Sequence, residues 1–153
     1  MSNTDNPTQV LTFIVDGAEY GVDILRVQEI RGWTQPVPLP NSPTYVRGVI
    51  NIRGDIVPIT DLRQRLGMAT VQHGPMSAVI VLRSDERAGS RAMGIVVDAM
   101  SDVSTLAEDS LKPPPDFGDQ GAKLARAIVT AGEKLITILD VDQLFGPRLG
   151  LAA

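Results

Sequence analysis

Short apolar runs alternate with polar positions along the whole chain and are broken at intervals by Gly, Asp and Pro. Val10 to Val15, followed by Asp16-Gly17, reads as a strand entering a hairpin turn. Tyr20 to Ile24 and Val27 to Ile30 continue as short strands, and Pro36 to Pro43 then interrupts the pattern. Proline fixes an extended backbone and withholds an N–H from a ladder, so this stretch is expected to be an ordered loop between strands.

The pattern then repeats itself. Val46-Arg47-Gly48-Val49-Ile50-Asn51-Ile52-Arg53-Gly54-Asp55-Ile56-Val57-Pro58-Ile59-Thr60-Asp61 aligns without gaps on the segment Ala125 to Asp140. Arg47 meets Arg126, Ile59 meets Ile138 and Asp61 meets Asp140. Each copy predicts strand, tight turn, strand and a short helix. Asp61 and Asp140 would accept hydrogen bonds from the first helical N–H groups, and Gly67 and Gly146 would end the helices. Upstream, Val79 to Leu82 and Met93 to Val97 match the first two strands. Met100 to Val103 matches the third, and Pro113 to Pro115 matches the first proline-rich connection.

Two copies of about five short strands predict a mainly all-β protein built as two small barrels, which removes exposed sheet edges. Each half has only about 70 residues, marginal alone, so a shared apolar interface is expected. The expected domain covers 8–149, with approximate subdomains 8–72 and 76–149 and strand exchange between them allowed for. Residues 1–7, mostly polar, are expected to form a flexible N-terminus.

Composition narrows the chemistry. The 153 residues are 43% apolar, with 14 Gly, 11 Pro, no Cys and a formal net charge of -4. No basic cluster offers counterion release to a phosphate backbone, so nucleic acid and anionic membrane surfaces are poor partners. Without Cys there is neither disulfide nor thiolate metal site. No apolar run approaches the ~20 residues that span a bilayer, and no signal-like segment leads the chain. The sole histidine, His73, lies in a polar Gly-flanked stretch and is expected to be a solvated loop residue. Asp140 and Asp142 have the spacing of a cation-binding pair, but helix capping by Asp140 is the stronger reading. No phosphate-cradling loop or nucleophile–base pair is present. An enzyme is not expected, nor any cofactor or metal.

Two places invite a binding role. Asn51-Ile52-Arg53-Gly54 reads as a four-residue turn projecting Ile52 and Arg53 from a hairpin tip, although tips are commonly just solvated. Val27 and Glu29 share one face of a strand with Ile30 on the other; this is either a contact surface or an ordinary sheet edge.

The chain resembles the CheW family in four blocks taken in order: Tyr20 to Gly32, Val46 to Arg63, Gly94 to Val103 and Lys112 to Phe117. The resemblance implies two intertwined five-stranded barrels, SH3-like or OB-like, with short capping helices. It implies a non-catalytic adaptor coupling chemoreceptors (methyl-accepting chemotaxis proteins) to the histidine kinase CheA. Such a protein is cytoplasmic, is recruited to membrane-associated receptor arrays, and meets other CheW copies in rings. Its receptor-binding face would include Val27, Glu29, Ile30, Gly48, Arg53 and Val103, with Gly48 keeping a groove open. Its face for the kinase regulatory domain would include Lys112 and Phe117. Lys112 stands where a well-known member has Arg, and Lys lacks the planar bidentate fork. The pair Ala99-Met100 also departs from a more usual Gly-Val type. A same-fold scaffold of a twitching, biofilm or developmental array, or a detached kinase regulatory module, fits the same residues.

Overall fold

The computed structural model describes residues 8–84, 91–107, 110–115 and 124–145. Ten strands are present: β1 Thr8–Val15, β2 Ala18–Asp23, β3 Val27–Gly32, β4 Val46–Ile52, β5 Asp55–Asp61, β6 Ala78–Arg83, β7 Ala92–Val97, β8 Ala99–Leu106, β9 Ala125–Ala131 and β10 Lys134–Leu139. Two short helices, α1 Leu62–Arg65 and α2 Val141–Phe145, follow β5 and β10. Both start as the sequence implies. The Asp61 carboxylate accepts from Arg63 N at 3.0 Å, and that of Asp140 accepts from Gln143 N at 3.2 Å. Gly67 adopts the left-handed conformation just beyond α1, at φ +89°. Gly146 lies outside the described residues.

The strands form two five-stranded sheets, in the orders β8-β1-β2-β10-β9 and β3-β6-β7-β5-β4. Replacing each strand by its repeat mate converts one order into the other. Each sheet therefore takes a hairpin from one half of the chain and three strands from the other half. The joints are two short parallel pairings, Ile138 opposite Gly21 and Ile59 opposite Gly94. Glycine is needed for space at these joints. A Cβ on Gly94 would stand 2.8 Å from Ile59 Cδ1, and one on Gly21 would stand 3.2 Å from Ile138 Cδ1.

The period of two assigns the core. In β6, Val79 and Val81 point into the second sheet with Ile52, Val57, Ile59 and Val96, while Ala78, Ile80 and Leu82 point the other way. The latter join Leu11, Phe13, Val15 and Val22 of the first sheet in a core shared by both. The first sheet keeps its own cluster of Val10, Leu106, Ala127, Val129, Ile136 and Ile138. Leu106 and Val129 lie on β8 and β9, opposite edges of that sheet, so the sheet curls until its edges approach.

The proline-rich connections differ from expectation in one respect. Val37, between Pro36 and Pro38, exchanges both backbone hydrogen bonds with Val49 of β4, each 2.9 Å. Lys112, before Pro113, does the same with Ile128 of β9, at 2.9 and 2.8 Å. Val49 and Ile128 are repeat mates. Proline does prevent a continuing ladder, but a single bridge needs only one residue that keeps its N–H, and each connection supplies one. The bridges cap the outer edges of β4 and β9.

Besides Lys134–Glu19 at 3.5 Å, two ion pairs carried by the short helices tie the halves together, with their charges reversed. Arg63 of α1 grips Asp98, just after β7, through Nη2 at 2.7 Å and Nε at 3.0 Å; Asp142 of α2 meets Arg26, just after β2. The Arg63 guanidinium holds the Asp98 carboxyl below the usual carboxylate range, against burial, and the Asp16 N–H adds to the effect. Between that lowered value and the usual one the unfolded chain binds the extra proton. The stabilisation is therefore complete above the usual carboxylate pKa and is lost as pH falls through the folded value. Urea titrations from about pH 7 to about pH 3 should show a shallower acid loss for Asp98→Asn than for the parent protein. Equal acid limbs would remove Asp98 from the account.

Candidate functional site: a strand edge beside a hairpin tip

β3 is an edge strand of the second sheet, and the β4–β5 hairpin belongs to its opposite side. Curling of the sheet brings them together. Arg53, at the hairpin tip, ion-pairs through Nη2 with Glu29 Oε1, while Arg31 Nη1 holds Glu29 Oε2 at 3.0 Å. The hydrogen bond from Arg53, followed by that from Arg31, holds the Glu29 carboxyl below its ordinary range. Arg53 itself is exposed and sits at φ +50°, an uncommon conformation for a side chain of its size.

The tip is tighter than the four-residue turn expected. Ile52 pairs with Asp55, so only Arg53 and Gly54 turn the chain, both at positive φ, as twisted two-residue hairpins favour. Asn51 Oδ1 accepts from Gly54 N at 2.8 Å. Ile52 does not project; it is 2% exposed and lies in the core of the second sheet.

The faces of β3 also differ from simple alternation. The register slips between Val27, opposite Leu82, and Glu29, opposite Val81. One extra residue reverses the phase. Val27 and Ile30 therefore share a face, since Ile30 opposes Ile80, and Glu29 takes the other. Val103 on β8 opposes Leu11. Leu82, Ile80 and Leu11 all belong to the core shared by the two sheets. Side chains directly opposite on a ladder share a face, so Val27, Ile30 and Val103 all lie on the face toward the junction of the sheets. Val27 packs on the shared core, while Ile30 and Val103 stay 47% and 48% exposed. They leave an apolar rim on two edge strands.

The other expected site residues stand apart. Gly48 is buried on β4, at φ +144°, and a Cβ there would stand 2.2 Å from the Val37 carbonyl oxygen. It therefore makes room for the chain's own connector, and the expectation that it keeps a groove open is not what its surroundings describe. Lys112 is exposed on the bridge to β9. Phe117 lies outside the described residues.

Sequence reasoning missed Arg31, although Glu29 and Arg31 two apart on a strand share a face. It misread His73. That side chain is 2% exposed, packs on Trp33 with ring centroids 4.5 Å apart, and places Nε2 at 3.8 Å from the buried Asp61 Oδ2. Burial lowers its tendency to hold a proton, and neither ring nitrogen has a hydrogen-bond partner among the described residues. Among those residues no group of His, Cys, Asp and Glu could hold a metal ion, and no helix is long and apolar enough to cross a membrane.

A two-sheet β body whose edge strands carry an apolar rim and a clamped ion pair has the composition of a protein-contact surface. Comparison with known proteins identifies which kind. The CheW-like domain model matches residues 9–147. The chain is 36% identical over 143 residues to the chemotaxis protein CheW of Rhizobium meliloti, covering 93% of this chain and 90% of that one. It is 39% identical over 140 residues to CheW of Klebsiella aerogenes, covering 89% and 80%. The crystal structure of scaffolding protein TtCheW from Thermoanaerobacter tengcongensis superposes with a TM-score of 0.83 at 27% identity, covering 93% of this chain and 94% of that one. The chain belongs to the CheW family.

Proposed function

We propose that this protein is a non-catalytic adaptor that couples chemoreceptors to the histidine kinase CheA in a membrane-associated chemotaxis array. The receptor's cytoplasmic tip docks on Val27, Ile30 and Val103 and reaches Glu29 and Arg53 over the edge of β3. The observation that carries this reading is the pair of exposed edges: Val27 and Ile30 on β3 and Val103 on β8 all turn toward the junction of the two sheets, and β3 carries the Glu29–Arg53 ion pair on its other face. An apolar centre with a charged rim is the ordinary composition of a specific protein contact. The regulatory domain of CheA is assigned to the surface around exposed Lys112, with Phe117 as a contact on the family resemblance alone, and further CheW copies complete rings there. Separate faces let one small body bridge two partners, so the receptor's state biases the kinase through a coupling free energy. Weak contacts suffice in an array, where neighbours raise effective concentration.

A pull-down with a receptor-tip coiled-coil fragment and, separately, with the CheA regulatory domain tests the assignment. Arg53→Ala should weaken receptor capture by about tenfold and leave kinase capture within about twofold. Its circular dichroism should match the parent, because the tip is exposed. Equal loss for both partners would refute the separate faces, and capture of neither would refute the adaptor reading.

A further inference from the structure

Beyond this face, a cavity of about 210 Å³ opens where β3 runs out, lined by Trp33, Gln35, Pro36, Pro38, Thr44 and Arg47 among others. We propose that this pocket receives a carboxylate, the side chain of an Asp or Glu on a protein partner, and that Arg47 and the Trp33 indole N–H are its donors. Arg47 is half-buried, yet it has no ion pair or hydrogen bond among the described residues, and no acidic residue lines its cavity.

The internal repeat provides the control. Arg126, the exposed repeat mate of Arg47, lines a second cavity of about 200 Å³ together with Asp23, Asp140, Asp142 and a second cation, Arg26, which pairs with Asp142. In the first half the equivalent acid is unavailable. Asp61 is fully buried, caps α1 through Arg63 N, accepts from Thr70 Oγ1 and faces His73. The same cation thus shares its cavity with carboxylates in one half of the molecule and with none in the other. A half-buried guanidinium without an ion pair, in a pocket it shares with an indole, matches a planar carboxylate, which accepts two parallel N–H bonds. Pro36 and Pro38 hold the wall rigid, and the Val37–Val49 bridge pins them. The carboxylate chemistry stands on the pocket alone. The choice of a protein side chain over a free acid rests on β3 as a docking edge, since a chain lying along Glu29, Ile30 and Arg31 would next reach Trp33.

The pocket has two built-in reporters, the only Trp and the only His of the chain. Around His73, the charges of Asp61 and Asp98 favour protonation, those of Arg47 and Arg63 oppose it, and burial opposes it most; Trp33 packs on the ring. A carboxylate that neutralises Arg47 removes one opposing charge.

The test titrates the whole protein with acetyl-Gly-Glu-Gly-amide, with its Gln counterpart and with acetate, following Trp33 emission and the His73 imidazole by NMR. The Glu peptide should give a saturable Trp33 response, the Gln peptide none, and acetate should bind at least about tenfold more weakly. Arg47→Gln should abolish the response. Arg47→Lys, which keeps the charge and the fold, should leave an intermediate affinity. The His73 midpoint should move up when the Glu peptide binds. A response equal for the Glu and Gln peptides, one retained in Arg47→Gln, or a His73 midpoint that does not move would overturn the carboxylate site. Acetate binding as tight as the peptide would overturn the assignment to a protein side chain while leaving the docking reading of β3 to its own pull-down.

Discussion

Gly48→Val will lower the unfolding free energy by about 3 kcal/mol or more and the melting temperature by roughly 10 °C. Two independent costs add. At φ +144° a β-branched residue is in a region it hardly visits. A Cβ there would also lie 2.2 Å from Val37 O and 2.6 Å from Val37 C, both backbone atoms of a connector locked between prolines. The connector has to lift, losing the two hydrogen bonds with Val49 and baring the edge of β4. Gly54→Ala is the control. It too has positive φ, at +92°, but nothing within 4 Å of the new methyl, so it should cost only about 1 kcal/mol of backbone strain. Urea denaturation of the two variants reads the difference directly, and a Gly48→Val loss no larger than that of Gly54→Ala would show that the connector is not pinned. Any receptor-binding defect at position 48 therefore has to be corrected for lost folded protein before it is assigned to a contact.

The strands, hairpins and capped helices are legible in the sequence because each rests on a local signal. Asp61 and Asp140 announce helix starts, Asp16-Gly17 announces a turn, and the alignment of Ile59 on Ile138 exposes the repeat. The choice of which hairpin joins which sheet has no local signal, since Val10 to Val15 would alternate identically in either. One clue was available: the unbroken apolar run Ala78 to Leu82 implies a strand buried on both faces, and β6 does separate two cores. The bulge at β3 was not legible, because a slip of one residue leaves the apolar pattern looking regular while putting Val27 and Glu29 on opposite faces.

His73 shows how composition misleads. Gln72, Gly74 and Pro75 mark a loop, and loops are usually solvated. This loop folds back over the cap of α1, where Thr70 and His73 cover Asp61. Only the long-range packing of Trp33 reveals it. The candidate site divides in the same way. Arg53 and Glu29 each invited a binding role from the sequence, but their pairing follows from the curl of a sheet whose edges are far apart in strand order.

Phe13→Ala will destabilise the protein by about 3–5 kcal/mol, and both sheets will be lost in one transition. Phe13 is fully buried in the shared core, stacked on Tyr20 with centroids 6.4 Å apart and packed among residues of both sheets. Truncation leaves a cavity that rigid strands cannot close. The single transition follows from the strand exchange. Each sheet contains strands from both halves of the chain, so neither can persist once one half unfolds. We propose on this basis that residues 8–149 form one cooperative domain rather than two independent subdomains. Trp33 emission reports the second sheet, since its side chain packs on that sheet's own core, whereas far-UV circular dichroism reports both sheets. In urea the two signals should coincide for the parent and for Phe13→Ala, with a midpoint shift and an unchanged slope. Val57→Ala, confined to the core of the second sheet, should shift both signals together as well. Separated midpoints in either variant would mean that the sheets unfold independently, and the shared core would then be a docking surface between two units.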